Sequence, residues 1–178
     1  MANRVYTSGE LIRQIKFLIV FFIVGLVLSG LTAFPIKMQL EIAHSLIGRM
    51  HLNNEFTCWI EKVHDGVVET DKRYPFIAYG TDWLAFAHLM IALAFIGPLR
   101  DPMRNSWVIQ FGIMACVAVF PLAFIAGEVR GIPFFWRLID CSFGLFGGIV
   151  LWICHRKIVQ LGRRYNNRED SITLCQHC

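Results

Sequence analysis

Four stretches of this 178-residue chain carry almost no charged side chains, which excludes water as their surroundings. Alternation of apolar and polar residues is missing from the same stretches, and that excludes the strands of a transmembrane barrel. There is no P-loop, no glycine-rich dinucleotide fingerprint, no His-Glu-x-x-His pair, no Gly-x-Ser-x-Gly elbow and no Ser-His-Asp set with supporting context. Each of those motifs fixes a chemistry by its spacing, so the corresponding enzyme classes are set aside. Repeated halves and a row of polar residues through an apolar run are lacking too, which argues against a self-contained transporter.

What the chain has instead is apolar length. The runs span residues 17–33, 78–97, 107–126 and 132–154. Crossing about 30 Å of hydrocarbon takes roughly 20 helical residues at 1.5 Å each. Helices satisfy every backbone donor and acceptor internally, as lipid requires. The fold class expected is therefore all-α: a polytopic four-transmembrane-helix bundle, one membrane domain over residues 1–178. The first run has a basic start (Arg4, Arg13, Lys16), but it is longer and bulkier than a signal-peptide core. Leu31-Thr32-Ala33 is a poor cleavage site, and an uncleaved first span is expected.

Lys and Arg accumulate in short cytoplasmic segments, and this sets the orientation. With the N-terminus inside, residues 1–16, 98–106 and 155–178 hold 10 of the 17 Lys plus Arg and 4 of the 13 acids. The opposite segments, 35–82 and 127–131, hold 6 basic and 8 acidic residues. The expectation is a cell-membrane protein with both termini cytoplasmic, whose net charge of +4 records topology. Nucleic acid is not an expected partner; the lipid bilayer is, together with a protein partner or a second copy.

The connection over 35–77 is too patterned for a linker. Ile36, Leu40, Ala43, Ile47 and Met50 recur at helical spacing after Pro35, and Phe56, Trp59, Ile60, Val63 and Val67 do so after Asn53-Asn54. Two amphipathic helices are predicted, lying on the outer surface or capping the bundle. Gly25-x-x-x-Ser29 and Gly144-x-x-x-Gly148 predict close helix approach, and Pro121 predicts a kink in the third span.

Charges inside the runs single out a site. Counting span lengths places Asp82, Arg137 and Asp140 in the outer half of the membrane and His88 near the middle. A charge there costs roughly 2.5 to 3.5 kcal/mol on the insertion scale, so Arg137 is expected to pair with Asp140 or Asp82. The plain reading is an ion-pair clasp. The functional one is a polar pocket using Asp82, Arg137 and Asp140, with Glu128 and Arg130 at its mouth. His88 has Ala85 and Ala92 beside it; the plain reading is a bond to a backbone carbonyl, the functional one a haem ligand or quinone partner. A buried haem would need a second His, recruited from His44, His51 or His64.

Metal readings are weaker. His44, His51 and Cys58 at seven-residue intervals stand about 10 Å apart along a helix, too far for one zinc. At the C-terminus Cys175, His177 and Cys178 offer soft donors. A flexible tail of about 25 Å could bring them to Cys154-His155. Two functions follow as expectations: a non-enzymatic accessory, assembly or scaffold subunit, or a redox or proton-handling subunit binding haem or quinone through His88 and the charged cluster.

Impermeant thiol labelling of intact cells checks the orientation. Cys58 is expected to be modified; labelling of Cys175 or Cys178 before permeabilisation overturns the topology.

Overall fold

The computed structural model describes residues 8–34, 36–50 and 55–176. Among them are seven α-helices and no strand: α1 (Ser8–Ala33), α2 (Ile36–Met50), α3 (Glu55–Arg73), α4 (Tyr79–Ala94), α5 (Ile96–Arg100), α6 (Ser106–Val129) and α7 (Phe134–Gln176). A 3-10 turn over Pro75–Ala78 leads into α4. Four segments are long and apolar enough to cross a membrane: Ser8–Ala33, Pro75–Arg100, Ser106–Val129 and Phe134–Asn167. The all-α class, the four spans and the two amphipathic helices between the first and second of them are as the sequence predicts.

The chain divides into two compact units. One comprises residues 1–23 and 93–178, the other 24–92. In the first unit the main contact is between α6 and α7. It is built on glycine. A Cβ added at Gly144 would stand 2.8 Å from the carbonyl oxygen of Cys116, and one at Gly112 would meet Leu151 at 2.6 Å and Phe95 at 2.8 Å. In lipid the hydrophobic effect does not drive helices together, so such small-residue contacts supply the packing. Phe95, Ile109 and Leu151 are fully buried there, and Phe22 meets Phe95 in a tilted contact with ring centroids 4.8 Å apart.

Both terminal spans extend further than hydropathy indicates. The helix α1 is already formed at Ser8, ahead of the apolar run, and Leu11, Ile15 and Ile19, which repeat every four residues and are completely buried, carry it through Arg13 and Lys16. On α7 the stripe Leu151, Cys154, Ile158 and Leu161 does the same past the end of the apolar run. The expected flexible tail is therefore helix as far as Gln176. At 1.5 Å per residue, the backbones of Cys154 and Cys175 lie about 30 Å apart along this helix. The side chain of Cys175, and His177 and Cys178 altogether, lie outside the described residues.

In the second unit α2 packs against α3, and His44 stacks on His64 at 4.5 Å with an interplanar angle of 14°. The pattern at intervals of seven is thus not what brings imidazoles together; His51 lies outside the described residues. The last part of α1 meets α4 at Gly30, whose added Cβ would be 3.0 Å from the carbonyl oxygen of Ala85. Gly25, the expected contact glycine, has nothing within 4 Å. Pro121 lies inside α6, which continues unbroken to Val129.

These contacts predict opposite outcomes for two alanine substitutions. Gly144→Ala forces α6 and α7 apart and should lower stability by about 1 to 3 kcal/mol. Gly25→Ala, in open space, should be neutral or stabilise by up to roughly 1 kcal/mol through helix propensity. Unfolding in mild detergent titrated with SDS measures both.

Candidate functional site

The junction of α6 and α7 is specified by a helix stop written into the sequence. Gly131 takes φ +64°, the left-handed conformation that glycine adopts without strain. The N–H of Ile132 donates to the carbonyl of Gly127 at 2.8 Å, and that of Gly131 to Glu128 at 3.1 Å. This pair of bonds is the Schellman pattern, and it satisfies carbonyls at the end of α6 that lipid could not. The N–H groups of Trp136 and Arg137 then donate to the Pro133 carbonyl, opening α7.

Arg137 locks the turn. Its Nε donates to the carbonyl oxygen of Ile132 at 2.7 Å, its Nη1 to Oε2 of Glu128, and its side chain is only 12% exposed. The aliphatic stem crosses Gly127 so closely that a Cβ there would be 2.9 Å from Cδ. Glycine at 127 is what lets the arginine lie flat. The expected partners were Asp140 and Asp82, and the carboxylate found is Glu128. Side chains on a helix lean toward its N-terminus, so a long residue in the first turn of α7 reaches back to the turn and away from Asp140, one turn ahead. Asp140 is exposed, and among the described residues it makes no hydrogen bond or ion pair.

Beside this lock lies a cleft of about 280 Å³, walled by Val119, Leu122 and Ala126 of α6 and bearing Arg130, Arg137 and Asp140 on its polar side. Three of the residues singled out in the sequence thus share one cleft. Glu128 holds Arg137 from the turn. Arg137 commits two of its five donors to the turn, and Arg130, Arg137 and Asp140 are the charged residues that line the cleft.

Asp82 and His88 belong to the other unit. Asp82 is half-buried in the first turn of α4, where the helix dipole favours a carboxylate without an ion-pair partner. The hydroxyl of Thr81 donates to Ala78 at 2.6 Å in the same turn. His88, also half-buried, donates from Nδ1 to the carbonyl of Leu84 at 2.8 Å. The space that alanines leave beside it is used by Gly30, whose added Cβ would sit 3.2 Å from the His88 Cβ. Small residues at this histidine serve the approach of α1.

Among the described residues no group of three or more His, Cys, Asp or Glu is placed to hold a metal ion. No protein-family model, curated protein or solved structure matches the chain. Glu128 and Gly127 are the two residues of this site whose roles sequence spacing did not reveal. The signal was the Gly131-Ile132-Pro133 stop, which folds residues nine apart onto each other.

The lock makes unequal claims on its neighbours. Arg137→Ala should cost roughly 2 kcal/mol, because the Ile132 carbonyl loses a charged donor while the Glu128 bond is partly screened. Asp140→Asn should stay within about 0.5 kcal/mol of the parent. Unfolding in detergent compares them; an Asp140 effect equal to that of Arg137 would mean that the wrong carboxylate has been assigned.

Proposed function

We propose that this protein is a non-enzymatic accessory or assembly subunit of a cell-membrane complex, a four-span anchor that presents the far end of α7 to a protein partner. One observation carries the reading: α7 is a single helix of 43 residues. That is about 65 Å of helix against about 30 Å of hydrocarbon. The part after Cys154 extends by about 33 Å, beyond what spanning requires.

The composition of that extension supports a docking role. Up to Leu161 it is held by its buried stripe, but Arg163, Tyr165 and Asn166 are exposed. A polar helix of about 14 residues is marginal in water unless something packs on it. A partner docked against Arg163, Tyr165 and Asn166 supplies that packing. The Lys and Arg distribution supports a cytoplasmic position for this arm.

Haem or quinone binding has less support. The Nδ1 of His88 serves its own helix, and the stacked His44 and His64 are engaged with one another, with Nδ1 of His64 3.2 Å from Asp65.

A photoreactive side chain at Tyr165 tests the proposal in cells. The expected product is one stoichiometric adduct with a different membrane-complex protein, and truncation after Gly162 should abolish co-purification of that protein while leaving insertion intact. An adduct only with a second copy, or a Soret band in the purified protein that vanishes in His88→Ala, overturns the accessory reading.

A further inference from the structure

Near its N-terminus α1 meets α7 at a second cleft, of about 360 Å³, lined by Arg13, Gln14, Phe17, Leu18, Ile153 and Lys157. All six lie within one compact unit. The Nζ of Lys157 donates to Oε1 of Gln14 at 2.7 Å, which ties the two helices together at this level. Arg13, adjacent in sequence to Gln14, is exposed. From this basic edge the lining becomes apolar in the same direction on both helices. Phe17 and Leu18 lie one turn further along α1, and Ile153 one turn back along α7, each about 6 Å deeper. Phe17 is 69% exposed, so the cleft opens sideways onto the lipid-facing surface.

We infer that this cleft binds an anionic phospholipid, its phosphate between Arg13 and Lys157 and the start of an acyl chain along Phe17, Leu18 and Ile153. The order of chemistry along the cleft, cation first and hydrocarbon one turn deeper, is that of a phospholipid entering from its own leaflet. Charge complementarity selects the headgroup. Over residues 8–18 and 150–160 the chain has Arg13, Lys16, Arg156 and Lys157 against the single acid Glu10. Basic pockets between spanning helices on the cytoplasmic side take such headgroups, and the Lys and Arg distribution assigns this end to the cytoplasm. The cleft at the α6–α7 turn offers a contrast, because there Asp140 stands among the lining residues and opposes an anion.

Native mass spectrometry of the detergent-purified full chain provides the test, with phosphatidylglycerol, phosphatidylcholine and inorganic phosphate as separate probes. Phosphatidylglycerol should remain bound at one equivalent when phosphatidylcholine does not. Each cation removed should weaken retention roughly fivefold, in Arg13→Gln and further in Arg13→Gln with Lys157→Gln, whereas Arg13→Lys should keep it. Arg13→Gln alone is decisive if the double variant is unstable, since Arg13 is exposed. Leu18→Trp, which fills the cleft and leaves both cations, should also abolish retention. Equal retention of the two lipids, no effect of Arg13→Gln, or binding of inorganic phosphate as tight as that of phosphatidylglycerol overturns the assignment.

Discussion

The close approach of α6 to α7 is the contact on which the first unit depends. Two apolar helices in hydrocarbon gain nothing by hiding from water, so they adhere only where their surfaces fit at short range. Gly144 against Cys116, Gly112 against Leu151 and Phe95, and Gly127 beneath Arg137 are three such places, distributed along the length of α6. A side chain at any of them would replace backbone contact with a gap. The turn between the helices completes the arrangement by leaving few carbonyls unsatisfied.

That context explains why an arginine is tolerated where a charge is costly. Arg137 works as a cap on a helix junction, satisfying the carbonyl of Ile132 and reaching Glu128, whose side chain is 76% exposed. The pair is buried at its Arg137 end and exposed at its Glu128 end. It thereby avoids the desolvation that makes a fully buried ion pair a poor source of stability. Asp82 solves a similar problem differently, by occupying the first turn of a helix whose dipole accommodates it.

Much of this architecture was legible in the sequence. The spans followed from apolar length, and the starts of α2 and α3 followed from Pro35 and Asn53-Asn54. Gly144 was correctly read as a contact glycine; Gly25 was not, because a small-x-x-x-small pattern does not say which face meets a neighbour. The extensions of α1 and α7 were missed because hydropathy averages over Arg13, Lys16, Arg156 and Lys157. Yet the stripes Leu11, Ile15, Ile19 and Leu151, Cys154, Ile158, Leu161 were there to be read. Of the pocket expected from Asp82, Arg137 and Asp140 with Glu128 and Arg130 at its mouth, the cleft at the α6–α7 turn holds Arg130, Arg137 and Asp140, while the partner of Arg137 required knowing how the turn folds back.

The length of α7 turns small motions into large ones. Because the helix runs uninterrupted from the turn locked by Arg137 to Gln176, its far end behaves as the tip of a lever pivoting on the glycine contact with α6. A tilt of about 10° at Gly144, which lies about 48 Å of helix before Gln176, displaces that far end by about 8 Å, more than the rise of a helical turn. A small change in how α7 sits on α6 is thus converted into a displacement of several ångströms at its far end.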